Sequence, residues 1–243
     1  MLSQDEPASS HNAIQILPGA ERYTVQMENL MATVYNLDPQ NDEDCLFNAA
    51  HFRQHLAIFP EGQFVAVDTS TDTVVGLTVS MRIHFNPHEP MLTSWWELIG
   101  HGWLTTHVPR GEWLYGVESA VHSDYQGKGI GKQLTNARLE TMRRLNLRGM
   151  VAGSAIISYH KVADTVPVEE YVADVIAGRR FDNNLTKQIK MGFKPLHIIP
   201  NYLPDTDCAG YGVEMVIENP AYVPPHNGWP HNRPAASIQL GLG

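Results

Sequence analysis

Apolar residues along the chain switch between two spacings, and the switches mark the elements. Over 21–36, Tyr23, Met27, Leu30, Met31 and Val34 recur at three- and four-residue steps and fall on one helical face. A second helix is predicted over 44–58, with Pro60 and Gly62 to stop it. Ahead of both, 13–17 (AIQIL) reads as a short strand ended by Pro18-Gly19. The runs 63–68 (QFVAVD) and 73–83 (TVVGLTVSMRI) are β-rich, and the TSTD turn between them predicts a hairpin. A strand over 113–122 (WLYGVESAVH) leads through a Gly-rich turn into a helix that ends at about residue 146. On that helix Ile130, Leu134, Ala137, Thr141 and Leu145 share a face, while Lys132, Gln133, Asn136, Glu140 and Arg144 point away. A strand over 148–157, helices over 167–177 and 182–191, and strands over 193–200 and 211–218 complete the pattern. Residues 84–112 break the rhythm: Gly, Pro, His and Trp dominate, and a structured connection of that length usually carries function.

This pattern predicts one α/β domain around a mixed sheet over 13–218, with a flexible leader at 1–12 and an extended tail at 219–243. The tail holds five of the 16 prolines. Composition agrees with a buried core: 243 residues, 43% apolar and 18% charged. Charge narrows the partners. Lys plus Arg is 17 and Asp plus Glu is 26, a net of −9, which argues against nucleic acid and against an anionic membrane surface. It is compatible with a cationic or amine substrate. No apolar run approaches the roughly 20 residues of a membrane span, and MLSQDEPASSHN lacks the basic and apolar regions of a signal peptide. Cys45 and Cys208 make no disulfide framework, so a reducing, cytoplasmic setting is expected. No metal is expected either. His51 and His55 are spaced i, i+4, but no HExxH or nearby third ligand accompanies them, so they read as helix-surface histidines.

The chemistry concentrates in 121–131, VHSDYQGKGIG. A strand ends, Gly127, Gly129 and Gly131 alternate, and an amphipathic helix begins. Glycines there permit positive φ and close approach of a ligand to the backbone. The unpaired N–H groups of the helix start then converge on one spot that favours an anion, and Lys128 and Lys132 add charge. The segment predicts a phosphate or pyrophosphate cradle. It is not G-x-x-x-x-G-K-[ST], and its G-x-G-x-G spacing is not the dinucleotide fingerprint.

Gln126-Gly127-Lys128-Gly129-Ile130-Gly131 resembles the [QR]-x-x-G-x-[GA] signature of the GNAT family of N-acetyltransferases. The segments WWELIGHG, LYGVESAVHSDYQGKGIGKQL, YHKVADTVPVEEYV and FDNNLTKQIKMGF look like acetyltransferase-like domains fused to carbon–nitrogen hydrolases. A chain of this length has no room for that hydrolase, so a free-standing relative is expected. The resemblance implies a mixed, mostly antiparallel central sheet with a splayed strand pair, flanked by helices on both faces. It implies acetyl-CoA as cosubstrate and a small amine as acceptor. It leaves a homodimer open.

The resemblance also implies roles. The backbone of Ser119, Ala120 and Val121 would pair with the pantetheine arm. Gln126, Gly127, Lys128, Gly129, Ile130, Gly131 and Lys132 would hold the pyrophosphate. Glu118 is the candidate base, with Tyr115 and His122 as alternatives, although strand alternation turns Glu118 away from Ser119 and Val121 unless a bulge intervenes. Many members place a Tyr, the acid for the leaving thiolate, four residues before a Gly-Phe pair. Here Gly192-Phe193 is that pair, and four back is Gln188. Tyr211, Tyr159 and Tyr202 are the candidate replacements, with Tyr211 taken as the acid. Trp95, Trp96, Glu97, Tyr115 and Tyr159 are the acceptor-pocket candidates, and residues 158–181 a candidate opposite wall. Aromatic faces and a carboxylate suit a cation.

Overall fold

The structure, a computed structural model, describes residues 13–37, 46–204 and 206–224. Seven strands form one sheet: β1 (Ile14–Pro18), β2 (Phe64–Asp68), β3 (Thr73–Ile83), β4 (Trp113–Val121), β5 (Gly149–Ala155), β6 (Lys194–Ile199) and β7 (Gly212–Glu218). Their order across the sheet is β1-β2-β3-β4-β5-β7-β6. Every neighbouring pair is antiparallel except β4 and β5, which run parallel. In β3 the residues from Val74 to Met81 are all buried, so the strand is covered on both faces.

The two faces carry different helices because β residues alternate. Val65 and Val67 of β2 join a core with Met27, Leu30 and Met31 of α1 (Thr24–Tyr35) and Phe52 of α2 (Ala49–Ile58). Ala66, between them, faces the other way and packs with Ile130 and Leu134 of α4 (Ile130–Arg144). A second large cluster joins Leu139 and Met142 of α4, Met150 of β5 and Met215 of β7 to α5 (Val168–Ile176) and α6 (Leu185–Lys190). The 84–112 segment contains one short helix, α3 (Trp95–Leu98), whose turn Ser94 caps by accepting the Glu97 N–H.

Some expectations shift. The helix expected over 21–36 opens as a 3-10 turn, Glu21–Tyr23, before α1. The helix expected from 44 begins at Ala49, because Asn48 is its cap: Oδ1 accepts the N–H groups of Ala50 and His51, and the His51 ring returns the bond to the Asn48 N–H. Residues 38–45, with Cys45, lie outside the described residues, as do 1–12 and 225–243. Within the tail, Asn146 and Val223 exchange two hydrogen bonds, and Asn219 Nδ2 donates to the Leu147 carbonyl.

The histidines of α2 are a correction. His51 and His55 are buried, at 8% and 1% exposure, rather than on the helix surface. The reason is the 84–112 segment, which folds back over α2. His55 Nε2 lies 2.7 Å from the Gly102 carbonyl oxygen, and the His51 ring packs on Trp103 at 3.9 Å between centroids. Among the described residues no cluster of His, Cys, Asp or Glu is gathered that could hold a metal. Helix α4 is also buried over a wider arc than its apolar pattern predicts. Ile130, Leu134 and Thr141 face inward, but so do Thr135, Arg138, Leu139 and Met142, while Ala137 and Leu145 are half-buried. The helix touches both the sheet and the α5–α6 cluster, so two sides are covered.

Candidate functional site

β4 and β5 pair only from Trp113↔Gly149 to Gly116↔Ala152. Beyond that rung β4 continues to Val121 along β3, and β5 continues to Ala155 along β7. Each strand is held on its outer edge, so their inner edges part and form a fork. The β3–β4 register slips between Val79 and Ser80, which face Glu118 and Gly116, so Val117 is the extra residue of a bulge. The slip sits where β4 leaves β5. Beyond it, Glu118 and Ser119 both line a cavity of about 700 Å³ that fills the fork. Trp95 closes one side, its Nε1 donating to the Val117 carbonyl at 3.0 Å.

Glu118 Oε1 accepts the Tyr35 hydroxyl at 3.0 Å and the Ser119 N–H at 2.8 Å. Burial pushes its carboxyl up, while the Ser119 N–H, the Tyr35 hydroxyl and the charge of Arg138 pull it down; burial prevails. Arg138, at 7% exposure, lines the same cavity. On a third side stands Tyr202, whose ring lies against Gly153 and Gly212 so closely that a Cβ on either would overlap it. Its hydroxyl meets that of Tyr115 at 3.1 Å. Burial and the neighbouring phenol push Tyr202 well above the usual tyrosine range, and burial does the same to Tyr115, so both are neutral donors near pH 7. Gln188 lines the cavity as well, with its Oε1 buried and unpartnered.

At the other end lies the glycine turn. Gly127 and Gly129 have φ of 75° and 79°, the left-handed region that other residues avoid. A Cβ on Gly127, Gly129 or Gly131 would meet nothing within 4 Å. Gly129 is the cap of α4 and gives it no side-chain acceptor. The first N–H groups of α4 therefore point into open space, and the turn fits a diphosphate. Gln126 Nε2 donates to the Val121 carbonyl at 3.2 Å and braces the turn. Lys128 instead lies over the Tyr125 ring, 4.5 Å from its centroid, and that tyrosine donates to Asp68. Lys132 lines the cavity mouth with Lys187 and Lys190 of α6.

The fork thus gathers Glu118, Ser119, Gly131, Lys132 and Trp95 of the sequence-derived candidates, with Tyr115 directly behind Tyr202. Others stand apart. Tyr211 packs edge-on to Tyr159 at 5.9 Å, and neither lines the cavity. Trp96 packs against Trp95 and His101, and Glu97 bonds Ser94. His122 caps the Ser123–Tyr125 turn. The side chains of Ala120 and Val121 enter apolar clusters, leaving their backbone at the open edge. Tyr35, Arg138, Lys187 and Lys190 escaped the sequence reading. Arg138 alone left a signal, a charge four residues after Leu134 on the apolar face of its helix.

The acetyltransferase (GNAT) family model matches residues 27–159. A probable hydrolase of Bacillus subtilis (strain 168), YhcX, is 37% identical over 175 residues, 72% of this chain; the chain spans 34% of that relative's length. An uncharacterized N-acetyltransferase of the same organism, YkwB, is 30% identical over 76% of this chain and 80% of its own. Among solved structures, the loading GNATL domain of CurA from Lyngbya majuscula has a TM-score of 0.70 at 18% identity, over 85% of this chain and 98% of that one. The GphF GNAT-like decarboxylase in complex with isobutyryl-CoA has 0.68 at 21%, over 84% and 98%. YncA from Salmonella typhimurium, solved with its cofactor acetyl-CoA, has 0.51 at 13%, over 89% and 100%. With the family match covering more than half of its length, this chain belongs to the GNAT family of acetyltransferases.

Proposed function

We propose that this protein is an acetyl-CoA-dependent N-acetyltransferase that moves an acetyl group to a small amine by direct attack on the thioester. One observation carries this reading: a single cavity holds an open strand edge, a half-buried carboxylate and a protonated phenol, with the uncapped start of α4 at its mouth. Bound acetyl-CoA supplies an activated acyl group whose sulfur leaves as a thiolate. The N–H groups from Gly127 to Lys132, with Lys132, Lys187 and Lys190, hold the diphosphate. The β4 edge over Ser119–Val121 aligns the arm. Glu118 takes the ammonium proton of the acceptor, directly or through water, and its raised pKa suits a base near neutral pH. Tyr202 gives a proton to the thiolate in place of the missing tyrosine at Gln188, and Tyr115 holds its hydroxyl in line. Trp95 walls the acceptor side, where its face suits a cationic amine.

A second reading is acyl-CoA binding without transfer, favoured by Gln188 in the usual acid position. Thermal melting with acetyl-CoA, CoA and no ligand tests both, followed by thiol release across an amine panel. A shift with thiol release is the expected result. A shift without release favours the binding reading, and no shift with either CoA species contradicts both.

A further inference from the structure

Arg138 stands on α4 eight residues after Ile130, about 12 Å along the axis from the uncapped helix start. It lies beside the last rung between β4 and β5: its Nη1 would be 2.9 Å from a Cβ on Gly116. Among the described residues its guanidinium makes no hydrogen bond and no ion pair within 4 Å, and its Nε is buried without a partner. Desolvation pulls its pKa down to about 10, against the attraction of Glu118. Glu118 does not satisfy it, because the carboxylate is turned to the Ser119 N–H and the Tyr35 hydroxyl. A buried guanidinium without hydrogen bonds is costly, and an apolar side chain such as the neighbouring Leu134, Leu139 and Met142 would fill the space without that cost. The group does, however, line the cavity in which the reacting end of a substrate would lie. A planar guanidinium at that depth matches a carboxylate, which it takes with two parallel hydrogen bonds.

We propose that Arg138 receives a carboxylate of the substrate, so that this site acts on a carboxylate-bearing molecule. The carboxylate is carried either by the acyl group, as in a malonyl or succinyl thioester, or by the acceptor, as in an amino acid. The proposal rests on the acyl-CoA reading above. It concerns a second anion, separated from the diphosphate by the length of two helical turns.

Calorimetric titration of the full chain tests it. One arm compares malonyl-CoA and succinyl-CoA with acetyl-CoA. The other compares alanine with ethylamine on protein saturated with CoA. In at least one arm the carboxylate-bearing ligand binds about tenfold tighter or more, as charge-assisted pairing requires, and the arm that responds identifies the carrier. Arg138→Met loses that preference, still binds CoA, and melts no lower than the wild type. Arg138→Lys keeps part of the preference, since charge survives without the fork. Equal affinities in both arms overturn the proposal, as does a preference that persists in Arg138→Met. A large drop in the melting temperature of Arg138→Met also overturns it, because the arginine would then be a structural counter-ion to Glu118. Intact CoA binding without preference defeats this inference alone, whereas absence of CoA binding defeats the acyl-CoA reading with it.

Discussion

Glu118 and Tyr202 both line the fork, and their surroundings suit the opposite protonation roles proposed for them. Glu118 keeps two hydrogen-bond donors that favour its ionised form, while burial raises its pKa. The proposed base predicts an acid limb in the pH profile of kcat/KM that lies above the ordinary carboxylate range. Glu118→Gln removes that limb and lowers kcat by about 100-fold or more, with acetyl-CoA affinity within about twofold. Tyr202→Phe lowers kcat by at least about tenfold with unchanged acetyl-CoA affinity, and a variant of full activity would disprove the acid. Residue-scale stability has its own probe in His55. Burial holds its pKa near 4, below the unfolded 6.5. The unfolded chain takes up a proton as pH falls through 6.5, and the folded chain does not until about 4. Stability is therefore full above 6.5 and drops by about 3 kcal/mol on the way to 4. Denaturant titrations from pH 7 to 4.5 should show this slope, and His55→Phe should flatten it.

At the scale of elements, the strands and helices were legible because each carries a period that burial enforces. β3 is legible to its ends, 73–83, from its β-rich run and the TSTD turn that precedes it. The glycine turn was legible because positive φ at Gly127 and Gly129 demands glycine. The fork is legible only through the family resemblance, which implies a splayed strand pair, and not from the residues themselves. Its cause is where a ladder stops, after Gly116↔Ala152, and where a bulge falls, at Val117, and neither leaves a residue-type signal. Glu118 and Ser119 still alternate, because both pair in regular register beyond the bulge; they line one cavity because that cavity runs through the opened sheet and takes residues from both faces. Tyr202 was legible only as one of several tyrosines, because its place over Gly153 depends on a loop fold. The turn allows a clean element-scale test. Gly131 has no positive φ, and a Cβ there meets nothing, so Gly131→Val should cost α4 no more than about 1 kcal/mol. It should nevertheless abolish the thermal shift with CoA, because the side chain fills the cradle. A variant that melts normally and still responds to CoA would show that the diphosphate lies elsewhere.

For the whole molecule, the net charge of −9 gains a geography. Lys132, Lys187 and Lys190 ring the mouth of the cavity, so an acidic protein presents a local positive rim where an anionic ligand would enter. Binding there should weaken as ionic strength rises, since exposed lysines are screened within about 10 Å at 0.1 M salt. Leu134 of α4, fully buried with Ala66, Val75 and Ile130, anchors that helix to the sheet; Leu134→Ala should cost about 2–5 kcal/mol in chemical denaturation. The β4–β5 fork is proposed as the acyl-CoA site. A crystal structure of the protein grown with acetyl-CoA tests it most directly. The expected result is the diphosphate on the N–H groups of Gly127 to Lys132, the arm along the open edge of β4, and the thioester between Glu118 and Tyr202. Acetyl-CoA bound anywhere outside the fork, or a fork still empty at saturating ligand, would contradict it.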